Sequence, residues 1–128
     1  MTIEEYFSKV KALLDQYAVA SFVIDSQVSF ETRSSEQGFL IGRTPFIDGS
    51  SLHCREYLDT VGEKIDKVMY SYHYQDSQDQ TIFRYDNAAH KPSLGFSEHK
   101  HDRKTILAAS APYLEQVLLE IVGKQGWA

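Results

Sequence analysis

Apolar positions at the start of the chain recur every three to four residues. Ile3, Tyr6, Phe7, Val10, Leu13, Leu14 and Tyr17 fall on one stripe, which predicts an amphipathic helix over Thr2 to Tyr17. Thr2 and Glu5 stand three apart as a capping box, a pair that satisfies backbone N–H groups left free by the first turn. From Val19 the period drops to two. Ala20, Phe22, Ile24, Val28 and Phe30 alternate with Ser21, Asp25, Gln27, Ser29 and Glu31, as in a strand with one wet face. Ser34 to Gly38 supplies a turn into a second strand over Phe39 to Arg43. Pro45 closes that strand and Asp48-Gly49 makes the next turn.

Ser51 to Asp59 alternates again, with Leu52, Cys54 and Leu58 towards the core and His53, Arg55 and Tyr57 away from it. Glu56 falls on the apolar side. A carboxylate buried there alone would cost several kcal/mol or be forced to protonate, so either the register shifts or a cation accompanies it. Val61 to Ile65 reads as a connection pivoting on Gly62. Lys67 to Tyr74 is a strand with Val68, Tyr70, Tyr72 and Tyr74 on one face and Met69, Ser71 and His73 on the other. After the polar turn Gln75 to Gln80, Thr81 to Asp86 returns antiparallel, with Phe83 and Tyr85 on one face and Ile82, Arg84 and Asp86 opposite.

Asn87 to Ala109 is irregular, with Thr105 to Ala108 as a short strand inside it. A last helix is expected from near Ser110, with Pro112 in its first turn, a stripe of Tyr113, Leu114, Val117, Leu118, Ile121 and Val122, and Gly123 at its end. Short turns favour a meander, and two amphipathic helices need a surface for their stripes. The expected fold is α+β: an antiparallel meander sheet of about five strands, with the N- and C-terminal helices packed on one face.

Composition narrows the class. The 128 residues have room for one core and read as a single domain over 1–128. Hydrophobic residues at 42% and charged ones at 24% exclude a largely disordered chain. Apolar runs are too short to cross a bilayer and the N-terminus has no basic leader, so a cytoplasmic location without membrane contact is expected. Cys54 is alone and forms no internal disulfide, which fits that compartment. The helix stripes and Trp127 leave room for burial against a neighbour, including a homodimer.

A net charge of −5 argues against a generally basic, nucleic-acid-coating surface. The charge is uneven, however. Arg84, Lys91, Lys100, Arg103 and Lys104 outnumber Asp86, Glu98 and Asp102 between positions 84 and 104, a local patch that can hold a phosphate or an acidic partner.

The same region holds most of the titratable chemistry, from Tyr70 to His101. Four of the five histidines lie here: His73, His90, His99 and His101. Histidine titrates near neutrality and can serve as base or acid in metal-independent RNA cleavage, led here by His99 and His101. Arg84 offers a bidentate fork for the charged phosphorane. Tyr72, Tyr74 and Tyr85 could stack on an unpaired base, with Asp86, Asn87 and Lys100 as further substrate contacts. Each also has a structural reading: an Arg84–Asp86 ion pair, Asp86-Asn87 turn chemistry, and tyrosines in core packing. A second hypothesis is a divalent metal site, with His99-x-His101 and Asp86 as candidates and His90 or His73 as alternatives. A third is a non-catalytic domain whose loop docks a partner protein.

Arg84-Tyr85-Asp86-Asn87-Ala88 with His90, then Phe96, His99, Lys100 and His101, together with Tyr70-Ser71-Tyr72-His73-Tyr74, resemble the TumE-like toxins of prokaryotic toxin–antitoxin systems. Asp48-Gly49-Ser50 and Arg55-Glu56-Tyr57 fit the same pattern, and the resemblance spans roughly positions 46 to 122. The chain departs from it at Lys91 and Glu98, where the family often carries histidines, so a ligand set that needed those positions would be incomplete. The resemblance implies a toxin whose partner is a cognate, DNA-binding antitoxin, with RNA as a candidate target.

Overall fold

The computed structural model describes residues 1–87, 98–103 and 105–127. Among them are two helices and seven strands: α1 (Ile3–Ala18), β1 (Gln27–Thr32), β2 (Gln37–Pro45), β3 (Ser51–Val61), β4 (Lys64–Gln75), β5 (Thr81–Asp86), β6 (His99–Asp102), β7 (Thr105–Ala108) and α2 (Leu114–Gln125). The strands form one sheet in chain order, every neighbour antiparallel, so the α+β meander with terminal helices is as expected.

The helices share one face of the sheet. In α1, the Thr2 side chain accepts from the Glu5 N–H at 3.1 Å, and Ile3, Phe7, Val10 and Leu14 are buried. Gly38 lets this helix settle on β2, because a Cβ there would lie 2.7 Å from Phe7 Cζ and 2.8 Å from Ile3 Cγ2. Leu114, Val117, Leu118 and Ile121 of α2 join Leu52, Leu58, Tyr72, Tyr74 and Phe83 in the same core. Trp127 stacks on Phe22 at 5.0 Å and lies 5.3 Å from Phe46, so its burial comes from within the chain.

Several boundaries differ from expectation. The sheet has seven strands rather than about five because β6 and β7 form a hairpin, and His99-Lys100-His101-Asp102 contains no apolar residue to advertise a strand. The strand expected from Val19 begins only at Gln27. Turn hydrogen bonds from Ala20 N–H to Tyr17 O and from Val23 N–H to Ala20 O bend the preceding residues, and Val23 makes a single bridge to Phe46. Helix α2 starts at Leu114 rather than near Ser110, because the Ala111 N–H donates to Glu98 Oε2 at 2.7 Å and Lys67 Nζ donates to Pro112 O at 2.8 Å. It runs past Gly123 to Gly126, whose φ of 69° makes the left-handed C-cap.

A β-bulge resolves Glu56. The β3–β4 register shifts between Tyr57 and Leu58, so Met69 opposes Tyr57 while Lys67 opposes Leu58. Val68 is thereby turned out, 44% exposed, and Lys67 takes the core-side position that alternation assigned to Val68. Glu56, 0% exposed, accepts from the Tyr6 and Tyr72 hydroxyls, the latter at 2.5 Å, and Lys67 Nζ stands 3.9 Å from its Oε2. Lys67 also donates to the Tyr72 hydroxyl at 2.5 Å. Burial first, and then the Glu56 carboxylate, push the Tyr6 and Tyr72 phenols far above their ordinary range, and burial lowers the Lys67 ammonium. The same burial pushes the Cys54 thiol up to about 12, so it is an inert core group. Lys67→Ala strands the buried carboxylate and should lower unfolding stability by about 3 kcal/mol. Urea denaturation at pH 7 measures this; a loss below about 0.5 kcal/mol would show that the hydroxyls alone hold Glu56.

Candidate functional site

Strand alternation turns half of each central strand away from the helices, and the register aligns those residues in rungs. One rung runs Arg43, His53, His73, Arg84, His101. The next runs Ile41, Arg55, Ser71, Asp86, His99, and a third places Phe39 beside Tyr57 and Tyr57 beside Met69. Opposed residues of neighbouring strands lie about 5 Å apart and successive rungs about 7 Å. The hairpin β6–β7 thus brings His99 and His101 onto the face already carrying Arg84.

Asp86 is the hub. It is 3% exposed, with Oδ2 2.6 Å from Arg84 Nε and Oδ1 2.5 Å from His99 Nε2. His101 Nε2 stands 3.6 Å from Asp86 Oδ2 and 3.1 Å from Arg84 Nη2, and the two imidazole centroids are 4.9 Å apart, edge to face. Arg84 donating to His101 Nε2 places that ring's proton on Nδ1. The expected Arg84–Asp86 ion pair is therefore present, and it sits inside the histidine cluster. Asp86, His99 and His101 also offer three ligand atoms within 4.8 Å of one another, a geometry that could hold a metal ion.

The sequence candidates separate by face. His73, Arg84, Asp86, His99 and His101 come together; His90 lies outside the described residues. His99 is 0% exposed, and its Nε2 lies 2.5 Å from Asp86 Oδ1. Tyr72, also 0% exposed, points to the helices with Glu56 and Lys67, on the face away from Arg84. Tyr74 is likewise buried, bonded to Ser50 and Gln125. Tyr85 donates to Glu120 at 2.6 Å and Lys100 donates to the same carboxylate at 2.7 Å, so both face α2 and not Arg84. Asn87 extends the β4–β5 pairing with its side chain, accepting from Tyr70 N–H at 3.1 Å and donating to Val68 O at 2.9 Å.

His53, Arg55 and Tyr57 join this open face without having been marked as site residues. Alternation had turned them away from the core, but only the cross-strand register shows that they stand beside His73, Ser71 and Met69 respectively. His53 and His73 have ring centroids 6.4 Å apart, and their Nε2 atoms bond Ser51 at 3.0 Å and Thr81 at 2.8 Å.

A protein-family model described as Toxin TumE matches residues 10–124. No curated protein and no solved structure gives a significant match.

Burial lowers the His73 imidazole from its ordinary 6.5, aided by Arg84 and His53 and opposed by Asp86. Burial and then Arg43 lower His53, with Asp79 opposing. Unfolded, these rings take a proton near pH 6.5; folded, they take it only at lower pH. The unfolded state then binds more protons, so their contribution to stability is present above about pH 6.5 and is lost as pH falls below it. His73→Gln should flatten the decline between pH 6.5 and 5 in urea titrations. An unchanged slope would mean that His73 titrates alike in both states.

Proposed function

The chain belongs to the TumE toxin family, and on that premise we propose that it is the toxin of a toxin–antitoxin pair and acts by cleaving RNA with imidazole groups. The observation that carries this reading is the rung His73–Arg84–His101, which sets a guanidinium between two histidines on adjacent strands. The flanking histidines stand about 10 Å apart, two strand spacings. Arg84 binds the phosphodiester through the donors that Asp86 leaves available. His73, kept neutral by its burial and the Arg84 charge, takes the proton from a 2′-hydroxyl. The 2′-oxygen attacks phosphorus, the bond to the 5′-oxygen breaks, and His101, as the imidazolium formed once Arg84 Nη2 leaves its Nε2 for the phosphate, supplies the proton to that leaving oxygen. The products are a 2′,3′-cyclic phosphate and a 5′-hydroxyl. Asp86 and His99 position Arg84 and the edge of His101.

A divalent ion held by Asp86, His99 and His101 is the second reading, favoured by their three clustered ligand atoms. Arg84 Nε and His99 Nε2 already stand 2.6 and 2.5 Å from the Asp86 carboxylate as ion-pair partners, so an ion would have to displace them. The partner proposed from the family is a cognate antitoxin that itself binds DNA. No helix among the described residues is long and apolar enough to cross a membrane.

Expression in a bacterium without an antitoxin should arrest growth with fragmented RNA, and His101→Ala should remove both effects, cutting cleavage by about 100-fold or more. Arrest with intact RNA would move the target elsewhere; no arrest from folded protein would favour a non-catalytic binding domain. With purified protein, activity that survives a chelator supports the imidazole reading, and activity abolished by it supports the metal.

A further inference from the structure

Beside Arg84 the open face is hollowed into a cleft of about 330 Å³, lined by Phe39, Tyr57 and Met69 on its apolar side and by Arg55 and the Arg84–Asp86 pair on its polar side. That volume lies at the lower end of the range of ligand sites, about 300–1,000 Å³. The aromatic wall comes from cross-strand pairing: Phe39 and Tyr57 have ring centroids 6.4 Å apart, tilted at 57°. Neither ring is fully buried, and Met69 is 60% exposed, although all three lie on a sheet face. The β3–β4 bulge falls immediately after Tyr57, where the extra residue Val68 increases local twist at the cleft. Arg55 is exposed and makes no ion pair among the described residues, unlike Arg84.

We infer that this cleft binds one unpaired base of single-stranded RNA, adjacent to the phosphate held by Arg84. The inference rests on the RNA-directed reading above and adds where the substrate's base goes. The three rungs order the contacts along the strands: aromatic and thioether groups first, Arg55 next, and Arg84 between His73 and His101 last. A base stacked on Tyr57 leaves its sugar and phosphate directed towards two guanidinium groups, one or two rungs away, about 7 Å each. A flat π-surface next to cationic forks is the chemistry by which unpaired nucleotides are held. A purely apolar ligand would leave Arg55 without a counter-charge, and a phosphate alone would leave the aromatic wall unused.

The test compares two 2′-O-methyl RNA oligonucleotides, which block attack by the 2′-oxygen, one carrying all its bases and one abasic at successive positions. Fluorescence anisotropy with the full chain should show the base-bearing strand bound about tenfold or more tightly than the abasic one. Tyr57→Ala should abolish that preference, Tyr57→Phe should keep it, and Arg55→Ala should weaken both strands alike. Equal binding of the two strands, lost in Arg84→Gln, would overturn the base site and leave the phosphate clamp standing. No binding of either strand would overturn both. If Tyr57→Ala left oligonucleotide binding intact but removed capture of the antitoxin, the cleft would belong to the protein partner and the inference would fail.

Discussion

The Asp86 carboxylate is nearly excluded from water, and that fixes what can stand around it. A buried anion must be met by donors and positive charge, and here Arg84 and His99 supply them from β5 and β6. Antiparallel pairing sets Asp86 opposite His99 and Arg84 opposite His101, so one carboxylate ties the edge hairpin to the centre of the sheet. The same contact orients the guanidinium. Arg84 keeps its Nη2 on His101 while its Nε is committed to Asp86, a fork held in place before any ligand arrives.

Two buried carboxylates divide the sheet's labour. Glu56 lies under the helices, among Tyr6, Tyr72 and Lys67, in a network that exposes nothing reactive. Asp86 lies on the opposite face, where its partners are an arginine and two histidines. The first serves the core, at the point where α1 and the turn before α2 meet the sheet. The second serves the surface. The β-bulge links them: it turns Lys67 inward to Glu56 and twists the strands beside Tyr57, where the cleft forms.

Much of this was legible in the residues. The period of α1, the limits of β5, the meander order and the gathering of histidines near Arg84 all follow from local pattern. So did the choice at Glu56 between a register shift and an accompanying cation, but not that both occur, because the bulge that turns Lys67 inward is fixed by cross-strand pairing. The β6 strand was hidden for a related reason: His99 to Asp102 carries no apolar residue, and its pairing with β5 is decided by tertiary contacts. Tyr72, Tyr85 and Lys100 carry the right chemistry for a nucleotide, yet alternation places them on the helix side, where Glu56 and Glu120 take their polar ends. Phe39, Tyr57 and Arg55 were readable as outward-facing, but three strands had to be set in register before they became one surface.

The most direct test of the account is the identity of the RNA ends made by the purified protein in the presence of a chelator. The proposed mechanism, with His73 as base and His101 as acid about Arg84, uses the 2′-oxygen as nucleophile and predicts 2′,3′-cyclic phosphate and 5′-hydroxyl ends. It also predicts that a strand with a single 2′-deoxy sugar at the cleaved position resists cutting. Cleavage of that deoxy strand, or 5′-phosphate ends that appear only when a divalent ion is supplied, would contradict it and return Asp86, His99 and His101 to the role of metal ligands.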